Sequence, residues 1–215
     1  MSISEQTQEL LHTFVSSQTS EVQNDIKNSF AEMLATEISD KTLITGNKVA
    51  NFSLPNALGH QVTLSEALNK GPVVLSFYRG GWCPYCNIEF AALNNILPQI
   101  KELGASLIGV SPETPDSTIS TVEKHDLQFE VLSDSGNTIA EQFGLVLSVP
   151  SVMRPHYLSW GIDVPAANGD ESYDLPIPAT YVIDTTGTIT AHFVNKDYTQ
   201  RMEPEDIIAA LKTIV

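Results

Sequence analysis

Cysteine is scarce in this chain, which has only Cys83 and Cys86 among its 215 residues. Two thiols cannot build a scaffold of several disulfides, and by themselves they do not complete a four-ligand zinc site. A C-x-x-C pair in an otherwise cysteine-free chain is instead the spacing of a redox dithiol. A purely structural disulfide is the weaker alternative, because closing so short a loop stabilises a fold very little.

Basic residues are also few: 11 Lys and Arg stand against 26 Asp and Glu, for a formal charge of −15. A field of that sign repels phosphate, so we expect no nucleic-acid partner and no anionic membrane surface. The chain contains no apolar run approaching the roughly 18 residues of a membrane helix, and its polar, acidic start lacks the pattern of a secretory signal. These absences predict a cytoplasmic protein.

Signals for a bound cofactor are missing as well. The chain contains neither of the glycine-rich fingerprints that cradle nucleotide phosphates, so no organic cofactor is expected. The five histidines share no metal-ligand spacing and are expected to be ordinary surface or core residues: His12, His60, His125, His156 and His192. We therefore expect no metal ion.

The first part of the chain, residues 1–44, is predicted to be a helical extension. Apolar residues recur three or four apart over residues 5–38, ending at Ile38, which is typical of amphipathic helices. The simplest interpretation is a helix packed on the following domain. A role in forming a homodimer, or in capping the domain, is the alternative.

Residues 45–215 are predicted to form one α/β domain. A hairpin is expected over residues 49–64, and the apolar run Val73–Tyr78 predicts a strand covered on both faces. Further strands are expected at 105–110, 129–132, 179–184 and 188–194, and helices after the dithiol as far as Gly104, near 115–126, near 137–143 and over 204–214. Strands that alternate with such helices favour a mainly parallel sheet, closed here by an antiparallel hairpin. The proline-rich stretch 145–177 is predicted to be an insertion with little regular structure.

The two thiols are predicted to lie where the buried strand Val73–Tyr78 gives way to a helix. Unpaired N–H groups and the positive end of the helix dipole stabilise an anion there and lower the pKa of a thiol. Gly80 and Gly81 allow a tight turn before the pair, and Arg79 offers a nearby cation. Because Cys83 lies nearer the helix start, this argument favours Cys83 as the nucleophile.

The same residues carry a resemblance to known families. Trp82-Cys83-Pro84-Tyr85-Cys86 resembles the W-C-x-x-C active site of thioredoxins, and Pro178–Asp184 resembles the segment that carries their cis-proline against the dithiol. The hairpin and helix over residues 51–68 resemble the start of peroxiredoxins of the alkyl hydroperoxide reductase C and thiol-specific antioxidant (AhpC/TSA) type. The combined resemblance covers about residues 49–213. It implies a thioredoxin-like, peroxiredoxin-type fold, with a mixed central sheet flanked by helices and preceded by the helical extension.

The resemblance also implies roles for individual residues. Cys83 and Cys86 would be catalytic, Trp82 would lie beside them and limit solvent access, and Pro178 would lie against the dithiol. Part of the peroxiredoxin motif P-x-x-x-T/S-x-x-C is matched when Cys86 takes the cysteine position, because Glu89 then follows three residues on, although Arg79 takes the proline position and Cys83 the threonine position. This register would make Cys86 the thiol that meets peroxide. Both orders of attack therefore stay open at this point.

One cation of the family pattern has no evident counterpart. The arginine that usually binds peroxide before the late strand is missing, because Pro178 occupies that region. Arg79, Arg154 and Arg201 are the candidates to replace it. Arg79 is favoured because it adjoins the dithiol, and the other two are expected to be solvated surface residues.

These features predict a thiol peroxidase. A thiolate of the pair would attack the O–O bond of hydrogen peroxide or an alkyl hydroperoxide, and the second thiol would close a Cys83–Cys86 disulfide that thioredoxin or another thiol reductant resets. A thiol:disulfide oxidoreductase acting on protein disulfides is the first alternative. A non-catalytic redox-sensing module is the second.

Overall fold

The computed structural model describes residues 1–36 and 41–214. The strands are β1 (Ser53–Pro55), β2 (Gln61–Thr63), β3 (Val73–Phe77), β4 (Ser106–Ser111), β5 (Glu130–Ser133), β6 (Val146–Ser148), β7 (Asp174–Pro176), β8 (Ala179–Ile183) and β9 (Ile189–Val194). The helices are α1 (Ile3–Ser16), α2 (Ser20–Ala35), α3 (Leu64–Leu68), α4 (Pro84–Glu102), α5 (Pro115–His125), α6 (Thr138–Gln142), α7 (Arg154–Ser159), α8 (Val164–Asn168) and α9 (Pro204–Leu211). Within these ranges, no helix combines the length and apolarity needed to cross a bilayer.

A mixed sheet with the strand order β5-β4-β3-β8-β9 forms the centre of the domain. Strands β3, β4 and β5 are parallel, while β8 runs antiparallel to β3 and β9 antiparallel to β8. The βαβ pattern and the closing hairpin predicted from the sequence are therefore confirmed. The N-terminal hairpin, β1 with β2, forms a separate small sheet, as predicted.

The central strand β3 is buried along its whole length, as its uninterrupted apolar run predicts. Its alternate side chains enter two cores. Leu75 and Phe77 pack with Tyr181, with the hairpin and with α3 and α6. Val74 packs with Val182 and with helices α4 and α9 on the opposite face. The sheet is thus covered on both sides, and its upper edge at the end of β3 leads directly into the dithiol.

The predicted N-terminal extension is confirmed as helical, and it consists of two helices. Helix α1 begins with a capping box in which Ser2 accepts from the N–H of Glu5 while the carboxylate of Glu5 accepts from the N–H of Ser2. Helix α2 is preceded by its N-cap Thr19, whose hydroxyl accepts from the first-turn N–H of Val22. Both pack on their own domain, α1 against α4 and α2 against the stretch before α7. Ile38, the predicted last apolar position, lies outside the described residues.

The expectation of little regular structure over residues 145–177 is wrong. The stretch contains the antiparallel pair β6 and β7, a 3₁₀ turn at Ser151–Met153 and helices α7 and α8. The prolines of this stretch suggest a loop, but proline is also compatible with the start of a helix. Pro155 and Pro165 occupy first-turn positions of α7 and α8. Proline is tolerated there because the N–H it lacks would have no partner within the helix.

Candidate active site

The dithiol lies in the connection from β3 to α4, as predicted. Cys83 is the N-cap of α4, Pro84 is in its first turn, and Cys86 follows within that turn. The turn before the pair is tight, since Gly80 has φ +152° and the N–H of Cys83 donates to the Gly80 carbonyl at 3.0 Å. A side chain at Gly81 would overlap Thr121 of α5. The two glycines are therefore required by close packing at this turn.

A buried carboxylate, Glu113, holds this turn from the neighbouring strand. Its Oε1 accepts from the N–H of Gly81 at 3.1 Å, and it also accepts from the hydroxyls of Tyr78 and Thr121. Burial raises the pKa of Glu113, and these hydrogen bonds oppose the rise. The sequence analysis missed Glu113. A sequence signal for Glu113 was available, because it comes two residues after the end of β4. Since β4 is parallel and adjacent to β3, the carboxyl ends of the two strands lie at the same edge of the sheet.

The two thiols are free, and their surroundings shift their pKa values in opposite directions. Cys83 is 1% exposed and Cys86 is fully buried. Burial alone would raise the pKa of Cys83, but the hydrogen bond from the Cys86 thiol, the charges of Arg79 and Arg201 and the N–H of Cys86 together lower it to about 5. Burial raises the pKa of Cys86, and the adjacent Cys83 raises it further. The surroundings therefore favour the thiolate form at Cys83, with the Cys86 thiol as hydrogen-bond donor.

Arg79 is buried beside this thiolate, at 7% exposure. Its Nη2 donates to the Tyr157 hydroxyl at 2.7 Å. Its guanidinium carbon lies over three aromatic rings, 4.1 Å from the centroid of Tyr198, 5.3 Å from that of Trp82 and 5.8 Å from that of Tyr157. Such contacts hold a desolvated cation in place. Arg79 lines the same cavity as Cys83, and it is not a solvated surface arginine.

Arg201 is also part of the site, and the expectation that it lies at the surface is wrong. It is 4% exposed, and its Nη2 donates to Cys86 Sγ at 3.4 Å. Its Nε forms a 2.5 Å ion pair with Glu89 of α4. Burial raises the pKa of Glu89, and the charge of Arg201 opposes that rise. The sequence could not place Arg201, because it reaches Cys86 across 115 positions from the segment between β9 and α9.

A cavity of about 280 Å³ opens over Cys83. Cys83, Arg79 and Trp82 line it on the domain side, and Cys86 does not. The opposite wall is made by α1, α2 and the stretch from Met153 to Ile162. Of the two cysteines, Cys83 is therefore the one that lines this cavity.

Known proteins similar to this chain identify its family. The model of the AhpC/TSA family matches residues 45–192. The chain belongs to the AhpC/TSA family. Its helices α1 and α2 precede the matched residues.

Relatives and solved structures agree with this assignment to the AhpC/TSA family. A putative peroxiredoxin of Mycobacterium tuberculosis is 35% identical over 111 residues, which are 52% of this chain and 72% of the relative. Peroxiredoxin Bcp of Escherichia coli is 31% identical over 103 residues, 48% of this chain and 65% of that protein. The crystal structure of peroxidoxin BcpB from Mycobacterium tuberculosis has 25% identity and a TM-score of 0.63, covering 80% of this chain and 99% of its own. PrxQ of Xylella fastidiosa, at 20% identity and a TM-score of 0.62, shares the fold over 80% of this chain and 96% of its own.

As an AhpC/TSA member whose relatives are peroxiredoxins, the chain is a thiol-dependent peroxidase with a thioredoxin-like fold. The family reduces peroxides with electrons from a thiol reductant. In the described part of the chain, no group of three His, Cys, Asp or Glu side chains is arranged to hold a metal ion.

Pro178 differs from the family resemblance, and Arg154 is the remaining candidate for the missing cation. The peptide bonds of the described residues are all trans, so the cis-proline implied at Pro178 is absent. The ladder of β6 and β7 extends to Ile177, whose N–H donates to the Leu145 carbonyl at 2.8 Å, and the extended chain then enters β8 through Pro178. Arg154 contacts other groups: its guanidinium carbon lies 4.4 Å from the ring centroid of Tyr173, and its Nε donates to the Val149 carbonyl at 3.1 Å.

Trp82 lies beside the dithiol, as the resemblance implies. It lines the cavity next to Cys83, and its ring centroid is 6.1 Å from that of Tyr157. Tyr157 and Tyr198 were missed by the sequence analysis. Tyr157 lies in the stretch interpreted there as irregular, and Tyr198 lies in the segment after β9, so no local pattern linked either residue to the thiols.

Proposed function

We propose that Cys83 attacks the peroxide and that Cys86 resolves the product. The observation that carries this proposal is the asymmetry of the pair: Cys83 lines the cavity and has its pKa lowered to about 5, whereas Cys86 lies behind it with a raised pKa. The thiolate is the nucleophilic form of cysteine. Cys83 therefore combines the lowered pKa with a position in the cavity lining.

The proposed reaction balances in two steps. The Cys83 thiolate takes the terminal oxygen of a hydroperoxide, the O–O bond breaks, and the alkoxide or hydroxide takes up a proton and leaves as an alcohol or water. The Cys86 thiol then attacks the sulfur of the Cys83 sulfenic acid, forming a disulfide and releasing water. Arg79 faces the same cavity as the thiolate, and its charge would stabilise the negative charge that develops on the departing oxygen.

A thiol reductant, of which thioredoxin is the expected example, would reset the disulfide by exchange. Because Cys83 and Cys86 are buried, a protein reductant would reach their sulfur atoms only after the covering helices move. The same burial argues against protein disulfides as the first substrate, since a peroxide fits the cavity and a folded protein does not. Peroxide reduction is therefore favoured over general thiol:disulfide exchange.

Trapping of sulfenic acid in single-cysteine variants tests the assignment. Reduced Cys86→Ser protein, treated with one equivalent of hydrogen peroxide and then dimedone, should carry the dimedone adduct on Cys83 by mass spectrometry. Cys83→Ser protein should react far more slowly. Rapid adduct formation on Cys86 in the Cys83→Ser protein would instead make Cys86 the thiol that attacks peroxide and Cys83 the thiol that resolves the product. The hydrogen bond from Arg201 to Cys86 would then account for the reactivity of Cys86.

Turnover assays test the function as a whole. Wild-type protein with thioredoxin and its reductase should consume reductant only when peroxide is added, and it should not reduce insulin. Insulin reduction without peroxide would favour the oxidoreductase alternative. Formation of the disulfide without turnover of either substrate would favour a redox-sensing module.

A further inference from the structure

The wall of the cavity that faces Cys83 is built from elements that the dithiol chemistry does not need. Leu11 and Phe14 come from α1 and Ile26 from α2, while Trp160 and Ile162 come from the end of α7 and the turn after it. Phe14 and Trp160 meet edge to face, with ring centroids 4.9 Å apart. Two segments that are distant in sequence therefore pack on each other above the nucleophile.

This wall is apolar and carries no negative charge. In the part of the chain that the structure describes, none of the Asp and Glu residues lines the cavity, although the whole chain has 26 of them. Apart from the nucleophile Cys83, the charged lining group is Arg79. A ligand that suits this space has an apolar body and one electron-rich end, directed at Arg79 and the sulfur.

The size of the cavity also argues against a substrate as small as hydrogen peroxide. About 280 Å³ is available, whereas a single water molecule needs only roughly 10 to 15 Å³ on the same measure. Hydrogen peroxide would leave most of the apolar wall without a contact. An organic hydroperoxide would remove that wall from water, and burial of apolar surface is favourable.

We propose that the N-terminal helices form part of the substrate site. In this proposal Leu11 and Phe14 of α1, with Trp160 and Ile162, contact the apolar group of an organic hydroperoxide and determine the preference for it over hydrogen peroxide. The peroxide group then lies between Cys83 and Arg79. This inference rests on the proposed function, and it assigns specificity to helices outside the residues that the family model matches.

The proposal is tested by the rate at which peroxides oxidise the reduced protein, which is independent of any reductant. We expect the second-order rate constant for cumene hydroperoxide to exceed that for hydrogen peroxide by about tenfold or more, the scale on which an apolar pocket distinguishes substrates. Leu11→Phe narrows the cavity and should reduce this ratio at least about fivefold. Thr13→Phe places the same side chain at an exposed position of the same helix and should leave the ratio unchanged.

A binding measurement gives a second readout that does not depend on turnover. Both tryptophans of the chain, Trp82 and Trp160, line the cavity, so their fluorescence reports its occupancy. Cumyl alcohol, the product of cumene hydroperoxide reduction, should change this fluorescence saturably in wild type and in Thr13→Phe. Its dissociation constant should rise in Leu11→Phe, and thermal melting would confirm that this variant is folded.

The outcomes separate this inference from the proposed function. If hydrogen peroxide reacts at least as fast as cumene hydroperoxide, and neither the rate ratio nor cumyl alcohol binding changes in Leu11→Phe, the role of α1 is overturned while the peroxidase assignment stands. If neither peroxide oxidises Cys83, the proposed function fails and this inference fails with it.

Discussion

The Nη2 atom of Arg79 donates a 2.7 Å hydrogen bond to the hydroxyl of Tyr157. The bond joins the loop that carries the thiols to helix α7, within the stretch that covers them. This bond orients the buried guanidinium of Arg79 along the wall of the cavity that Arg79 and Cys83 both line. Arg79 therefore connects the electrostatics of the thiolate with the packing of the surrounding helices.

Removal of this cation should reduce thiolate reactivity. In Arg79→Gln the pKa of Cys83 should rise toward its usual value, because one of the two positive charges that lower it is gone. Near pH 4, below the wild-type pKa of about 5, each unit of that rise should slow alkylation of Cys83 by iodoacetamide about tenfold, because well below its pKa the thiolate fraction changes by that factor per unit. Arg154→Gln is the matched control and should leave the pH profile of alkylation unchanged. Equal profiles in wild type and Arg79→Gln would contradict the prediction.

The stability of the reduced protein should depend on pH through Cys83. Its pKa is about 5 in the folded protein, against an ordinary value of 9.0. Between these values the unfolded chain binds a proton that the folded chain does not, so the free energy of unfolding rises with pH. The contribution is complete above about pH 9 and disappears as the pH falls through 5. Measured by urea unfolding under reducing conditions, the free energy of unfolding should rise more steeply between these pH values in wild type than in Cys83→Ser. Parallel curves for the two proteins would contradict a contribution from Cys83.

Breaking the buried ion pair behind Cys86 should destabilise the fold. Both side chains of the Arg201–Glu89 pair are almost fully buried. Arg201→Met leaves an uncompensated buried carboxylate and should cost about 3–5 kcal/mol in the free energy of unfolding, measured with urea. The double variant Arg201→Met with Glu89→Leu should recover much of that loss. A double variant as unstable as the sum of the two single variants would show that the pair does not act as a unit.

The attachment of α1 should control access to the thiols. The carboxylate of Glu203 accepts from the N–H groups of Ile3 and Ser4, each at 2.9 Å, and so holds the start of α1 against the start of α9. Glu203→Gln should cost roughly 0.3–1 kcal/mol at this helix terminus. It should also accelerate both alkylation of Cys83 by N-ethylmaleimide and reduction of the disulfide by thioredoxin. Glu205→Gln, at an exposed position in the same turn of α9, serves as the control, and equal rates in the two variants would argue against this role for α1.

Much of the fold could be predicted because its determinants are local. The apolar run Val73–Phe77 and the helical spacing of apolar residues after Cys86 each lie within a short stretch of sequence. These two local patterns were enough to predict β3, α4 and the position of the dithiol where one leads into the other. The stretch 145–177 could not be predicted in the same way. Pro155 and Pro165 are compatible with either a loop or the start of a helix. Which of the two forms depends on the contacts of α7 and α8 with the rest of the chain.

The sequence by itself placed Cys83 and Cys86 at a helix start, because C-x-x-C spacing and strand-to-helix order are properties of neighbouring residues. Only the tertiary structure distinguishes the surroundings of the two thiols. That difference depends on Arg201, which is 115 positions from Cys86, on the aromatic rings around Arg79, and on a cavity that Cys83 and residues of α1 line. The pKa of a buried thiol depends on the charges and solvent around it in space, and no local pattern in the chain records them.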